Sequence, residues 1–150
     1  MPIYSEQLEN EVLLSKLDTA KKVSIVGCGA CANISYNIAK YSNEPAMNIF
    51  RKPYALIKES NLLKNYLKDR NIEAESVNFM SLCVNSKKTR KKLEAIAEDT
   101  EALIVLSCKA GVSTINNEIK NKKIVHGMQV KGFKSIKLKF KGFKIFIEAD

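Results

Sequence analysis

The sequence lacks several features that would assign it to a common functional class. Its 150 residues contain one histidine, His126, and no run of about 18 apolar residues. A single histidine gives no recognisable Ser-His-Asp or Cys-His arrangement, and the absence of a long apolar run predicts no membrane-spanning helix. The N-terminus, MPIYSEQLENEV, is polar and acidic, which is typical of neither a secretory signal nor a transit peptide. We therefore expect a cytoplasmic protein without membrane insertion.

The sequence also lacks a repeat of solenoid length and a low-complexity linker. Its length suits one hydrophobic core but hardly two. Apolar residues make up 45% and charged residues 27% of the chain, values that are ordinary for a folded globular protein. Residues 1–150 are therefore predicted to form a single domain.

The positive charge is concentrated in the C-terminal segment. The net charge is +9, and residues 1–119 contribute 16 basic against 14 acidic side chains. Residues 120–150 contain nine lysines against Glu148 and Asp150. A basic surface over a whole face would favour nucleic-acid binding, whereas this chain has only a local patch. We do not expect a nucleic-acid partner.

Strand and helix patterns alternate along most of the chain. The predicted strands cover residues 22–27, 73–82, 102–107 and 123–126. The predicted helices cover residues 5–20, 28–41, 54–69, 85–98 and 112–119, with Ser5 and Ser86 as N-caps. Residues 42–53 are ambiguous, with a short strand at 47–50 as one possibility. This alternation predicts an α/β fold, a three-layer Rossmann-like or flavodoxin-like parallel sheet.

The C-terminal segment departs from this pattern. Residues 135–140 and 143–148 alternate with period two around a turn at Lys141-Gly142, which predicts a β-hairpin. Residues 131–150 are thus interpreted as a basic amphipathic hairpin, with Ile136, Leu138 and Phe140 on one face. The pattern fits packing onto the domain, docking of an acidic partner, or stacking of single-stranded nucleic acid on the aromatic side chains.

The four cysteines lie at one edge of the predicted sheet. Cys28, Cys83 and Cys108 each follow a predicted strand, and Cys31 lies within one turn of Cys28. Parallel sheets bind ligands beyond the carboxyl ends of their strands. Without a signal peptide, a disulfide framework is not expected. Independent burial as small apolar side chains is the plainer explanation, but it does not account for four cysteines at one edge.

Four converging thiolates could hold structural zinc or a [4Fe–4S] cluster. The Cys28-x-x-Cys31 pair suits either metal, and the lack of a second such pair excludes a zinc ribbon. Gly27 and Gly29 flank the first cysteine, where a tight turn would let backbone amides approach a cluster. The lysine-rich run at 87–92 is interpreted as a solvated helix face or as a holder of an anionic cofactor.

Two other motifs overlap this segment. Residues 27–32 fit the dinucleotide fingerprint G-x-G-x-x-A, but the acidic residue expected after the next strand is missing. Cys28-Gly-Ala-Cys31 also resembles a thioredoxin-like redox pair, which leaves Cys83 and Cys108 unexplained. A metal centre explains all four cysteines.

Three segments carry a resemblance to a known family. Residues 25–32 (IVGCGACA), 82–84 (LCV) with the basic helix at 87–92, and 104–112 (IVLSCKAGV) occur in the family's order. Through them, residues 10–126 resemble the methylenetetrahydrofolate reductase C-terminal domain family (MetV-like), a cysteine-rich accessory subunit or domain of bacterial reductases.

The resemblance implies that Cys28, Cys31, Cys83 and Cys108 ligate an iron–sulfur cluster, with zinc sometimes assigned. It also implies a role in folate-linked one-carbon metabolism beside a flavoprotein reductase subunit. We expect a non-catalytic accessory protein that supports this flavoenzyme or passes electrons to it. The alternatives are a structural-zinc interaction module and a thiol-disulfide oxidoreductase that uses Cys28 and Cys31.

Overall fold

The computed structural model describes residues 3–83 and 86–149. In chain order the elements are β1 (Ile3–Gln7), α1 (Asn10–Leu17), β2 (Lys22–Cys28), α2 (Cys31–Lys40), β3 (Met47–Asn48), α3 (Tyr54–Lys68), β4 (Glu73–Phe79), α4 (Lys87–Glu98), β5 (Ala102–Leu106), α5 (Lys109–Glu118), β6 (Lys123–His126), β7 (Met128–Phe133), β8 (Ile136–Lys141) and β9 (Lys144–Ala149).

The centre of the fold is a parallel sheet in the order β4-β2-β5-β6. Val26 of β2 pairs with Val77 on one side and with Val105 on the other. Every residue of β5, and all of β2 except Lys22, is buried. Because successive side chains of a strand point to opposite faces, the sheet must be covered on both sides. The predicted α/β class with a parallel sheet is confirmed.

Helices cover the sheet with apolar side chains spaced at helical intervals. Leu63 and Leu67 of α3, Leu93 of α4 and Ile115 of α5 are almost completely buried. Helix α3 packs on β4 and on α2, and α4 contacts α5. The predicted helix at 54–69 agrees with α3 to within one residue, whereas the predicted helix at 112–119 begins three residues earlier, at Lys109.

The N-terminal prediction is wrong in part. Ser5 does not cap a helix but lies in β1, which pairs antiparallel with β7. The backbone N–H of Ser5 donates to Ser35 Oγ at 3.0 Å. The helix begins only at Asn10, after Glu9 as its N-cap. Pairing with a strand far along the chain outweighs the local helical pattern at residues 5–9.

The C-terminal hairpin forms, but its two strands differ in burial. Strand β9 lies between β3 and β8, and its Ile145 and Ile147 are buried. Strand β8 is the outer strand, where Leu138 and Phe140 remain exposed. A two-residue turn joins the strands, with Gly142 at φ 60°. The apolar face that was predicted for the first strand therefore does not pack onto the domain, and residues 131–133 belong to β7.

Two boundaries that bear on the cysteines differ from prediction: β4 ends at Phe79 and not at residue 82, so Cys83 comes four residues after its strand, and α2 begins at Cys31 and not at residue 28. Helix α4 begins at Lys87 with Ser86 as N-cap, whose Oγ accepts from the backbone N–H of Thr89. The predicted helix start at Asn85, and Val84 of the family-like segment, lie outside the described residues. Within the described ranges, none of the helices has the length and hydropathy of a bilayer-spanning segment.

Candidate metal centre

Two of the cysteines lie at the carboxyl ends of adjacent central strands. Cys28 is the last residue of β2 and is buried. Cys108 comes two residues after β5, is also buried, and serves as the N-cap of α5. Gly27 pairs with Leu106, so the position opposite Cys28 is Ser107, and Cys108 is the next residue. The parallel register thus brings these two positions together, as the sequence predicts.

Cys31 is the first residue of α2 and is partly exposed. Its carbonyl oxygen accepts a hydrogen bond from Ser35 Oγ at 2.8 Å. The first turn of α2 is held by the fully buried Asn33, whose Nδ2 donates to Ala46 O and whose Oδ1 accepts from Leu56 N, both at 3.0 Å. Leu56 is in the first turn of α3. The side chain of Asn33 therefore caps this helix, because the N-cap residue, Pro53, has no side chain that can accept a hydrogen bond.

Cys83 is the exposed member of the set. Its Sγ lies 3.1 Å from Ser81 Oγ, in the segment that follows β4. The preceding residue, Leu82, is fully buried. A Cβ atom on Gly111 would lie 3.1 Å from Leu82 Cβ and 2.5 Å from Ser107 Oγ. The segment bearing Cys83 is thereby packed against the first turn of α5, next to Cys108.

The electrostatic environment of Cys31 reflects the other three thiols. Burial raises the pKa of the Cys31 thiol above its ordinary value, and a hydrogen bond from the backbone of Ile3 opposes this rise. Charge repulsion from Cys108, Cys28 and Cys83 each raises the pKa further. All three thiols therefore lie close enough to Cys31 for their charges to interact with it.

The thiols do not form a ready-made single-ion site. In the described part of the chain, no three histidine, cysteine, aspartate or glutamate side chains converge closely enough to hold a metal ion. Zinc–sulfur bonds of about 2.3 Å at tetrahedral angles require sulfurs about 3.8 Å apart. The donor set is chemically suited to a soft metal centre, but its four thiols would have to draw together to bind one ion.

Two helices begin at this edge with open N-termini. Neither α2 nor α5 has a side-chain cap from the described residues, and neither carries an acidic residue in its first turn. The partial positive charge of a helix N-terminus stabilises anions. Cys31 and Cys108 occupy these two N-termini, where the helix dipoles favour negative charge and oppose the burial that raises the pKa of Cys31.

Gly27 and Gly29 allow close packing against β4. A Cβ atom on Gly27 would lie 2.6 Å from Asn78 Oδ1, and one on Gly29 would lie 2.9 Å from Phe79 O. The backbone N–H of Gly29 donates to the same Phe79 oxygen at 2.6 Å. The role of these amides beside a cluster stays a prediction.

His126 ends β6 at the same edge of the sheet. Its Nε2 lies 3.2 Å from the carbonyl oxygen of Ser107, the residue before Cys108. The ring thus contacts the backbone that positions Cys108. This contact was not predictable from the sequence, because it depends on how β6 is placed beside β5. The same is true of the Ile3 backbone beside Cys31 and of the Ser81 hydroxyl beside Cys83.

The described residues give little support to a redox pair. All four cysteines are free thiols. A reactive thiolate is normally favoured by a lowered pKa, whereas burial raises the pKa of Cys31. A thiol-disulfide reaction at Cys28 and Cys31 also gives no role to Cys83 and Cys108.

These elements define an α/β protein with four thiols at the carboxyl edge of its parallel sheet. No protein-family model matches the chain, and the searches of curated proteins and of solved structures give no significant match. The function must therefore be argued from the site.

Proposed function

We propose that the protein is an iron–sulfur-binding accessory subunit of a flavoprotein reductase, of the methylenetetrahydrofolate reductase type. Cys28, Cys31, Cys83 and Cys108 would ligate a [4Fe–4S] cluster, which supplies one-electron transfer when bound. The observation that carries the proposal is that Cys28 and Cys108 lie at and beyond the ends of the adjacent strands β2 and β5, with Cys31 at the start of α2.

The strand order supports a ligand at this position. Counting only the parallel strands, the order is 2-1-3-4, as in the first four strands of a flavodoxin-like sheet. We propose that arrangement for the domain. In such sheets the order reverses between the first and third strands, here β2 and β5, and ligands bind in the crevice beyond this point. Cys28 and Cys108 follow these two strands.

The lack of a convergent single-ion site is compatible with a cluster, whose ligands lie further apart than those of one zinc ion. Ligands of a cluster surround a larger body than ligands of one ion, so their sulfurs lie further apart. The thiols of this site interact with Cys31 but do not converge on one ion.

We infer a partner surface on the C-terminal hairpin and the segment after β3. Five large apolar side chains are exposed there, on β8, on the β8–β9 turn and on the segment after β3: Ile49, Phe50, Leu138, Phe140 and Phe143. We call this set the apolar ledge. The backbone N–H of Ile49 donates to Phe143 O at 2.9 Å, which joins its two halves. Large exposed apolar patches commonly mark protein interfaces.

The ledge is close to the thiol edge and is surrounded by lysines. Arg51, next to Phe50, lines a cleft with Met80 and Ser81, just before Cys83. Lysines alternate with the apolar residues of β8, and only Lys139 of that strand has an ion pair in the described residues, with Glu148 at 3.1 Å. An acidic flavoprotein surface would complement this charge and would approach the centre.

Purification without oxygen tests the metal assignment. We expect a brown protein with about four irons and about four sulfides per chain, and loss of most of this iron in Cys83→Ser. Ser81→Ala, in the same segment, is the matched control and should keep the cluster. One zinc per chain without sulfide would contradict the proposal and identify a structural-zinc module. A metal-free protein with a Cys28–Cys31 disulfide would contradict it in favour of an oxidoreductase.

Co-elution with a methylenetetrahydrofolate reductase flavoprotein tests the partner. Size-exclusion chromatography should show a complex that Phe140→Asp abolishes, because a charge would enter the apolar ledge. Leu62→Asp is the control, since Leu62 is another exposed apolar residue, on α3 outside the ledge. Equal loss in both variants, or no complex with cluster-loaded protein, would contradict this assignment.

A further inference from the structure

Strand β8 is an open edge of its sheet. It pairs with β9 on one side, and in the described part of the chain no strand pairs with it on the other. Alternate residues of an antiparallel strand direct their backbone N–H and C=O groups to the same neighbour, so half of these groups in β8 face away from β9. No backbone hydrogen bond from another described element reaches them. The edge can therefore accept a further strand.

One face of β8 continues the buried face of β9. Leu138 pairs with Ile147, and Phe140 pairs with Ile145. Residues that are directly opposite lie on the same face of a sheet. The isoleucines are buried on the strand that contacts α2, whereas Leu138 and Phe140, both members of the apolar ledge, are 49% and 65% exposed. The apolar face of the sheet thus extends one strand beyond its cover.

The opposite face of β8 carries positive charge. Lys137, Lys139 and Lys141 alternate with the apolar residues of the strand, and Lys144 lies opposite Lys141 at the turn. Among the described residues, Lys139 pairs with Glu148 at 3.1 Å, and no carboxylate pairs with Lys137 or Lys141. A strand added at this edge would therefore meet lysines on one face and apolar side chains on the other.

The charges argue against a second copy of this chain as the added strand. Two β8 strands would place lysine opposite lysine or, in a register shifted by one residue, lysine opposite Leu138 or Phe140. Like charges directly opposite each other destabilise a strand pair, and lysines on edge strands commonly prevent such self-association. Protection of the edge explains the lysines, but it does not explain the uncovered apolar face. The charge and the apolar face together fit a partner strand in which acidic and apolar residues alternate.

We propose that β8 binds an extended segment of a partner protein, which adds a fourth strand to the sheet β3-β9-β8. Acidic side chains of the segment pair with Lys137 and Lys141, and the apolar side chains between them cover Leu138 and Phe140. Hydrogen bonds from the segment's backbone satisfy the open edge. The inference deepens the partner assignment, and it rests on the proposed function only for the identity of the protein that supplies the segment, namely the flavoprotein.

Fluorescence anisotropy with the full chain and the labelled peptide EVEFEVE tests the proposal. This peptide alternates glutamate with apolar residues and should bind at submillimolar concentration. The peptide KVKFKVK reverses the charge, and EEVFVEE has the composition of the probe without its alternation. Each should bind at least about tenfold more weakly, because several cross-strand pairs are lost together. Binding of EEVFVEE as tight as that of EVEFEVE would overturn the proposal.

N-methylation of the peptide separates strand addition from charge attraction, because it removes backbone donors and leaves the charges. Methylation of the apolar residues of EVEFEVE blocks one edge of the peptide, and methylation of its glutamates blocks the other. Only one of the two modified peptides should lose its affinity for the protein. Equal affinity of the two would overturn the proposal.

Variants of the protein locate the binding site on β8. Phe140→Asp and Lys137→Glu should each weaken EVEFEVE binding about tenfold, while circular dichroism verifies that the variants are folded. Lys120→Glu is the matched control, because it changes the net charge equally and lies outside the hairpin. Equal losses in Lys120→Glu and Lys137→Glu would overturn the proposal, as would folded wild-type protein that does not bind EVEFEVE at millimolar concentration.

Competition distinguishes this inference from the partner assignment. Excess EVEFEVE should displace the flavoprotein from the complex, and a complex that it does not displace would overturn the β8 inference alone. Peptide binding at β8 without any flavoprotein complex would support the inference and contradict only the partner assignment.

Discussion

Replacing Gly29 by alanine should destabilise the fold at the cysteine edge. The added Cβ would lie 2.9 Å from Phe79 O and 3.5 Å from Met80 O. These are backbone atoms of β4 and the residue after it, so they cannot move aside as a flexible side chain would. The substitution would also disturb the 2.6 Å hydrogen bond from Gly29 N to Phe79 O.

The magnitude follows from three contributions. Overpacking costs about 1–3 kcal/mol, and a weakened backbone hydrogen bond costs about 1 kcal/mol. The lower entropy of the unfolded alanine chain offsets about 0.4–1 kcal/mol of this. We expect Gly29→Ala to lower the free energy of unfolding by about 2 kcal/mol, which corresponds to a fall in Tm of about 4–8 °C for a chain of this size.

Urea unfolding of the metal-free protein, followed by far-UV circular dichroism, measures this change. Gly142→Ala is the control, because its Cβ would meet no atom within 4 Å and only its φ of 60° is unfavourable. The control should lose about 1 kcal/mol and keep its full metal content, whereas Gly29→Ala should also bind less metal. A Gly29→Ala variant within about 0.5 kcal/mol of wild type would refute the steric argument.

Three further predictions concern other parts of the molecule. Asn33→Ala should cost about 2–3 kcal/mol in urea unfolding, because it leaves Leu56 N and a second buried backbone group unpaired; a loss below about 0.5 kcal/mol would contradict this role. Burial and a hydrogen bond to Glu59 raise the pKa of Tyr41 from 10.0 to about 12, so the stability that this shift contributes should be lost as pH rises from about 10 to about 12. Phenolate absorbance should show one fewer late-titrating tyrosine in Tyr41→Phe, and no change there would refute this. Fluorescence anisotropy should show no micromolar binding of single-stranded DNA or RNA at physiological salt, and binding that is lost when the lysines of 131–144 are neutralised would contradict the partner assignment.

The parallel sheet was predictable because its central strands, β2 and β5, are short apolar runs between helical patterns. The central β5 is buried throughout, as its uninterrupted apolar sequence ALIVL predicts. The positions of Cys28 and Cys108 follow from the same pattern, since the carboxyl ends of parallel strands meet at one edge. Local sequence was sufficient for these features.

The pairing of β1 with β7 was not predictable in this way. Ile3 pairs with Phe133 from the far end of the chain, and neither segment has a strong strand pattern of its own. The burial of the hairpin was also missed, because both of its strands alternate but β9 packs on α2 while β8 is the outer strand. Which strands pair and which strand is buried depends on the surfaces that other elements already cover.

The cleft beside the end of β4 and the exposure of Cys83 depend on tertiary placement as well. Arg51 reaches the end of β4 only because the segment after β3 folds beside it. Sequence analysis placed the lysine-rich run of α4 near the thiols, but it could not show that Ser81 lies beside Cys83. These features define the site more closely than the cysteine spacing does.

Protection of Cys83 from alkylation tests the central claim most directly, because Cys83 is the exposed thiol that must join the other three. Protein purified without oxygen is alkylated before and after chelation of its metal, and each cysteine peptide is quantified by mass spectrometry. The four-thiolate centre predicts that Cys28, Cys31, Cys83 and Cys108 are protected together and that Cys83 becomes fully reactive when the metal is removed. A Cys83 that reacts at the same rate with and without bound metal would contradict the claim.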